Sequence, residues 1–239
     1  MTAKMEINPP NIEGFKSIFN NLGDVVDTVV FECYNDRVEF NALDRSSTVF
    51  LSCIFGMDYF LSYECPESDR FSIDSTEMKK VLKSCRDELT LTFDDSSLMI
   101  ESTTKKFQLV LIDENYDPIR PPQVEHFVKF DVPVKYLKSM VKDIELFAKD
   151  VTINTLGNQV SFNTEGHSGK FMDIYEVNDD FSPKKVKVST DKLKTCLGSD
   201  KVSDDMILEI DTDMPLILRQ EGEGISLTYM IAPRVDVSE

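Results

Sequence analysis

The 239-residue chain says nearly the same thing twice, on either side of a proline-rich joint. The joint runs from Asp113 to Val124 and carries prolines at 118, 121 and 122. Proline fixes φ, removes a backbone donor and pushes the preceding residue out of the α region, so the segment is expected to be an extended, semi-rigid connector. The flanks match at particular residues. Val38-Glu39-Phe40-Asn41 corresponds to Val160-Ser161-Phe162-Asn163, and the stretch Phe71–Met78 to Val186–Leu193. Leu89–Asp94 corresponds in the same way to Met206–Asp211. Such a duplication implies two similar domains, at residues 1–112 and 125–239, with the connector 113–124 between them.

Hydrophobic periodicity gives each copy the same order of elements. In the first, a strand at 4–7 precedes a helix over 11–22 that repeats Ile12, Phe15, Ile18, Phe19 and Leu22 at helical spacing. A hairpin (28–33 and 37–41, turning at Tyr34-Asn35-Asp36) and strands at 48–55, 58–64 and 71–73 follow. A second helix runs from an Asp74, Ser75 or Thr76 cap to about Arg86, with Met78, Val81, Leu82 and Cys85 as its apolar stripe. Strands at 89–93, 98–102 and 107–112 form a meander. In the second copy, a strand at 127–132 leads into a helix from Pro133 to about Leu146. A hairpin turns at Leu156-Gly157-Asn158, with arms 151–155 and 160–163. Strands at 170–177 and 186–188 precede a helix capped at 189–191 and closed by Gly198, and a meander at 206–210, 215–220 and 225–231 ends the copy. The expected class is α+β, each copy an antiparallel sheet with two helices on one face.

Five scattered cysteines with no C-x-x-C pair argue against a disulfide framework and a zinc site, and are expected to be reduced and buried. His126 and His167 have no ligand spacing and are expected at the surface. The N-terminus lacks an apolar signal core, which points to an intracellular protein. The net charge of −17 is at first sight hostile to nucleic acid, but the charges are segregated. The four helix windows hold eleven basic residues against six acidic ones, while the other 189 residues carry a net −22. Lys79, Lys83 and Arg86 share one arc of their helix with Lys80 beside it, and Lys135, Lys138 and Lys142 share another at i, i+3 and i+7.

The C-terminal run from Leu227 to Asp236, with its Ala-Pro-basic ending, resembles the last strand and tail of the proliferating cell nuclear antigen family, the sliding clamps of archaea and eukaryotes. Leu43-Asp-Arg-Ser-Ser-Thr resembles the loop after that family's first hairpin. Asp213-Met-Pro-Leu resembles its near-terminal strand entry, and Leu111-Ile-Asp before the prolines its interdomain connector. The likeness covers residues 4–239 in order, and the short loops look archaeal rather than eukaryotic. It implies the DNA clamp fold, a homotrimeric ring with the helices lining the hole, and sequence-independent binding of duplex DNA. Lys16, Lys79, Lys80, Lys83, Arg86, Lys135, Lys138, Lys142, Lys192 and Lys194 would face the phosphates. Clients implied by the resemblance are replicative DNA polymerase, the clamp loader, flap endonuclease and DNA ligase, held by short apolar and aromatic motifs. The matching pocket positions are Leu43, Thr48, Ile119, Pro121, Pro122, Pro215, Met230, Ala232 and Pro233. Subunits would join by pairing about 107–113 of one chain with about 171–177 of the next, through Phe107, Leu109, Leu111, Ile174 and Glu176. Lys105 and Lys106 on one edge, and Glu176, Asp179 and Asp180 on the other, are candidates for setting the register. Such a protein works on chromosomal DNA, needs no cofactor or metal and has no catalytic residues.

Two other readings stay open at this point. One is a specialised clamp subunit that closes a ring only with paralogues. The other is a metal-dependent phosphoesterase built on Asp94-Asp95, Asp179-Asp180, Asp204-Asp205, or Asp211 with Asp213. The first and last of these pairs occupy the same meander turn in the two copies, where aspartate is favoured for local hydrogen bonding. No P-loop or catalytic motif accompanies them.

Overall fold

The computed structural model describes residues 3–23, 25–112, 119–125 and 128–234. It contains two compact units. The first is Met1–Pro121 with Gly198–Val202 and Glu221–Leu227, and the second is Pro122–Leu197 with Ser203–Gln220 and Thr228–Glu239. The boundary falls between Pro121 and Pro122, inside the proline-rich stretch. Residues 113–118 of that stretch lie outside the described residues, and Ile119 to Pro122 are exposed without regular structure.

In the first unit β1 (Ala3–Ile7) is followed by α1 (Ile12–Leu22), then β2 (Thr28–Cys33), β3 (Arg37–Leu43), β4 (Val49–Gly56), β5 (Phe60–Glu64) and β6 (Asp69–Asp74). The unit continues with α2 (Ser75–Leu82), β7 (Thr90–Phe93), β8 (Ser97–Ser102) and β9 (Lys105–Val110). One sheet has the order β5-β1-β7-β8-β9, and β4-β3-β2-β6 are consecutive neighbours in another. Strand faces alternate strictly. Val29, Phe31 and Cys33 are buried while Thr28, Val30 and Glu32 look outward, as a half-buried strand requires. α1 buries Ile12, Phe15, Ile18, Phe19 and Leu22 as expected and packs against α2. The core is built from rings: Phe19 lies 4.7 Å from Phe15 and 5.7 Å from both Phe31 and Phe40, and Phe71 stacks on Phe93 at 4.5 Å.

α2 is shorter than its apolar stripe. Asp74 caps it by accepting from Glu77 N at 2.9 Å, as expected. It ends at Leu82, because Ser84 N and Cys85 N bond back three residues, to Val81 O and Leu82 O. That tightening closes the helix, and Arg86 N then turns to Ser102 Oγ at 3.4 Å. Arg86 is therefore not a helix residue, although Cys85 remains buried.

The second unit holds β10 (Val128–Pro133), α3 (Val134–Ile144), β11 (Asp150–Gly166), β12 (Gly169–Ser189), α4 (Thr190–Cys196) and β13 (Asp205–Ile210), with most of β14 (Leu216–Gly222) and the latter part of β15 (Ile225–Ile231), whose remaining residues belong to the first unit. β10-β13-β14-β15 lie in that order, mirroring β1-β7-β8-β9. β11 and β12 are far longer than the strands expected there, yet neither is a straight ribbon. Thr164 Oγ1 donates to Asp150 O at 2.6 Å, and Asn154 Nδ2 to Ser161 Oγ at 3.4 Å. Fourteen extended residues would span on the order of 46 Å, so β11 must double back. Gly157 sits at the tip with φ 61°, a conformation that costs glycine nothing. The expected hairpin at 151–155 and 160–163 is thus present as two arms of one extended span. β12 pairs with both arms, from Gly166↔Gly169 to Gln159↔Glu176 and from Thr155↔Lys184 to Asp150↔Ser189, with the register slipping between. The resulting order of arms, 169–176, 159–166, 150–155 and 184–189, repeats β4-β3-β2-β6.

Pro133 is the N-cap of α3, one place earlier than the first helical position expected for it. α3 buries Val134, Leu137, Met140, Val141 and Ile144 and packs on α4, which buries Thr190, Leu193 and Cys196. All five cysteines are free and buried. His167 is exposed, and His126 lies outside the described residues. Phe40 has no exposure and touches rings on every side, so Phe40→Ala should cost about 3–5 kcal/mol. Urea unfolding followed by circular dichroism measures this, and an unshifted midpoint would contradict the ring-packed core.

Candidate functional site

The basic residues of the helices divide by what they touch. Lys16 is half-buried and bonded to Glu13 Oε1 at 2.7 Å. Lys80 is exposed and bonded to Glu77 Oε1 at 2.7 Å, an interaction that raises its pKa. Lys194, in the last turn of α4, gives its charge to Glu145 at the C-cap of α3, with contacts of 2.7 and 2.9 Å to the two carboxylate oxygens. Lys79 lays its stem against the end of α1: a Cβ on Gly23 would stand 2.7 Å from Lys79 Cδ. Lys138 and Lys192 are partly covered and have polar partners. Lys83, Arg86, Lys135 and Lys142 are exposed and make no ion pair among the described residues. The stripe of α3 stands as expected, with Lys135 and Lys142 open on the face opposite Leu137, Val141 and Ile144.

A second site lies wholly in the first unit. A pocket of about 350 Å³ is lined by Val26, Asp27, Thr28, Val30, Glu32, Asn41, Ala42, Leu43, Arg45 and Ile119. It brings together Leu43 and Ile119, two of the expected partner-binding residues, which are 37% and 38% exposed. Thr48 does not line it. The Asp44 carboxylate holds that loop, accepting from Thr48 N at 2.7 Å and Val49 N at 2.8 Å, so Thr48 completes a turn. Pro121 and Pro122 are exposed, and the second unit leaves Ala232 exposed and Pro215, Met230 and Pro233 half-buried. Asp27, Val30, Glu32, Asn41 and Arg45 were not foreseen as pocket residues. Strand alternation could have found three of them, because Val30, Glu32 and Asn41 sit opposite the buried Phe31 and Phe40. At the rim Arg45 donates to Asp27, lowering that carboxyl's pKa.

Two strand edges carry exposed apolar side chains. β9 ends its sheet and leaves Val110 80% exposed, with Phe107 and Leu109 half-covered. The 170–177 arm of β12 leaves Met172 67% and Ile174 50% exposed, with Glu176 exposed beside them. Leu111 lies past the end of β9, half-covered, and bonds through its N–H to Ser96 O. Lys105 and Lys106, expected to set register against another chain, already have partners of their own: Lys105 Nζ donates to Ser84 O at 3.0 Å and Lys106 pairs with Glu101 at 2.8 Å.

Asp94 and Asp211, one from each of two aspartate pairs, are held by bonds of their own. Asp94 accepts from Ser96 N at 2.9 Å and from Ser97 N at 2.6 Å, and these bonds lower its pKa. Asp211 accepts from Lys184 Nζ at 2.6 Å and Thr212 N at 2.7 Å. Among the described residues, no three His, Cys, Asp or Glu side chains converge on a point that could hold a metal ion.

The family model described as proliferating cell nuclear antigen, N-terminal domain, matches residues 5–127. A DNA polymerase sliding clamp from Methanothermobacter thermautotrophicus is 30% identical over 247 aligned positions, which cover 99% of each chain. The chain belongs to the proliferating cell nuclear antigen family. The Saccharomyces cerevisiae proliferating cell nuclear antigen is 22% identical, over 94% of this chain and 96% of its own. Among solved structures, the proliferating cell nuclear antigen of Entamoeba histolytica superposes with a TM-score of 0.89 at 19% identity, covering 98% of this chain and 99% of that one. The Thermococcus kodakaraensis protein gives 0.87 at 22%, covering 97% and 100%. These likenesses establish the α+β clamp fold for the whole chain.

Removing the Asp44 carboxylate (Asp44→Ala) strands the N–H groups of Thr48 and Val49. It should cost about 1–3 kcal/mol and speed hydrogen exchange at both amides, measured by NMR. Unchanged exchange would remove Asp44 as the loop's organiser.

Proposed function

We propose that the chain is a DNA polymerase sliding clamp, which closes as a homotrimeric ring around duplex DNA and tethers polymerase to it. The observation that carries this reading is the near-complete, 30% identical match to a protein of that name. The physical features agree with the role. Cations concentrated on helices of an otherwise acidic chain attract phosphate where the helices face and repel it elsewhere. Contacts from lysine tips to phosphate read no base edges, so binding is independent of sequence and the ring can slide. The chain does no chemistry of its own and works wherever chromosomal DNA is.

Ring closure follows from the two apolar edges. A strand edge with unpaired backbone groups invites another strand. β9 of one copy pairing with the 170–177 arm of the next covers Val110, Met172 and Ile174. It also makes a heterologous contact, which either closes or grows as a filament. The pocket at Leu43 and Ile119 supplies one wall for client motifs with apolar and aromatic anchors, those of polymerase, clamp loader, flap endonuclease and DNA ligase.

The DNA role rests on the cations that are not already neutralised. Lys135→Ala with Lys142→Ala should reduce the slope of log Kobs against log salt by about 1.8. Lys16→Ala with Lys194→Ala should change it less, because both lysines already hold carboxylates. Equal effects from the two pairs would remove this division of labour. For the ring, light scattering of the wild-type chain should give three times its 27.3 kDa mass, and Ile174→Asp should give the single-chain mass. Protein loaded on circular DNA should be retained and should be lost on linearisation. A wild-type monomer that leaves both DNA forms equally would overturn the clamp reading.

A further inference from the structure

The duplication is incomplete at one place, and the difference leaves a sheet edge open. Val38 pairs with Phe55, and its match Val160 pairs with Tyr175. Phe71 and Val186 are matched in the same way at the start of the next stretch. Sixteen positions separate Phe55 from Phe71, but only eleven separate Tyr175 from Val186, so the second copy is five residues short. The first copy uses that length for β5, which lies along β1 from Lys4↔Glu64 to Ile7↔Phe60. β10, the counterpart of β1, pairs with β13 from Val128↔Ile210 to Pro133↔Asp205 and is the end strand of its sheet. Among the described residues no strand pairs with its other side.

A cavity of about 490 Å³ lies at that edge. Lys129, Phe130 and Asp131 of β10 line one side and Tyr175 to Asp179 of β12 the other, together with Ile207 of β13. All of these residues belong to the second unit. The facing stretch of β12 has lost its own ladder, because its pairing with β11 slips between Gln159↔Glu176 and Gly157↔Phe181. Phe181 meets Phe130 ring to ring at 5.9 Å, without backbone pairing. Tyr175, Val177 and Ile207 are half-buried and supply apolar surface. Asp131, Glu176 and Asp179 are exposed and make no ion pair among the described residues. The one cation in the lining, Lys129, already holds Glu209 Oε1 at 3.1 Å.

We propose that the open edge of β10 binds an extended, basic segment of a partner protein as an added strand. The partner's backbone completes on β10 the ladder that β5 completes on β1. Side chains of a strand alternate between two faces, and β10 itself alternates buried Phe130 with exposed Asp131. The added strand therefore places apolar residues beside Phe130 and lysine or arginine beside Asp131, within the field of Asp179. A second copy of the chain suits the edge less, because two such edges would set these carboxylates against like charges. The site is distinct from the pocket at Leu43 and Ile119, which belongs to the first unit. It goes beyond the tethering role and does not depend on it. Glu176 borders the arm proposed to join the next copy, so the test leaves that residue unchanged.

The test is fluorescence anisotropy on the intact chain with a short labelled peptide that alternates lysine with valine. Its controls are a scrambled peptide of the same composition and two versions N-methylated on alternate residues, each of which blocks one edge of the strand. The scrambled peptide and one of the methylated versions should bind on the order of tenfold more weakly than the parent. Asp131→Lys with Asp179→Lys should weaken the parent by a similar factor, and Asp131→Asn with Asp179→Asn serves if the reversal lowers the melting temperature. Parent binding should also slow hydrogen exchange at amides within Lys129 to Asp131, read by NMR. Equal binding of all four peptides would reflect only the general attraction of lysine to an acidic chain, and overturns the inference. So does parent binding that neither pair of substitutions changes, or no binding at all. A mass above that of the closed ring, brought back by the peptide in light scattering, would assign the edge to a second copy and overturn it too.

Discussion

Each helix of this protein has one apolar stripe and one place to put it. α1 and α3 spend theirs completely, on Phe15, Ile18, Phe19 and Leu22 in one unit and on Leu137, Met140, Val141 and Ile144 in the other. Once the stripe is against the sheet, everything else on the helix must point away, and what remains includes the lysines. Burial of the apolar side therefore fixes the direction of the charged side. The same constraint shapes the sheets at period two. Phe31 and Phe40 go in, so Val30, Glu32 and Asn41 go out and become the walls of a pocket.

The two copies keep the frame and change the filling. The first unit packs a continuous set of phenylalanine rings, while the second uses Val151, Ile153, Val160, Val186, Val188 and Leu208 with fewer buried rings, Phe130, Phe162 and Tyr229. Cores tolerate such wholesale substitution when volume and pattern are kept. Strand order and helix placement survived, even though few side chains in the core correspond. What the frame has to preserve is the pairing order, and β1-β7-β8-β9 with β10-β13-β14-β15 shows that it did.

Most of the frame was legible because it rests on periodicity. The stripes of α1 and α3, the Asp74 cap, the tip at Gly157 and the duplication could all be read from spacing alone. The end of α2 could not, because Cys85 is buried without being helical and a periodicity scan sees burial rather than hydrogen bonds. Nor could the partners of the cations. Lys194 and Glu145 are 49 positions apart, so only the packing of α4 on α3 brings them together. Likewise Lys105 and Lys106 each have an oxygen partner on their own chain, Ser84 O and Glu101, that spacing alone does not show. In the pocket, Leu43 and Ile119 came from the family likeness, whereas Asn41 and Glu32 lie on the outward face that strand alternation marks.

The buried thiols carry a consequence for handling the protein. Burial raises the pKa of Cys33, Cys53 and Cys85, and the thiolate is the reactive form. A chain whose cysteines are all enclosed presents little nucleophilic sulfur to solvent. A single cysteine added on an exposed arm would therefore react far faster than the native ones. A reporter dye could be placed at one chosen address on each subunit without first stripping the sequence of its own sulfur.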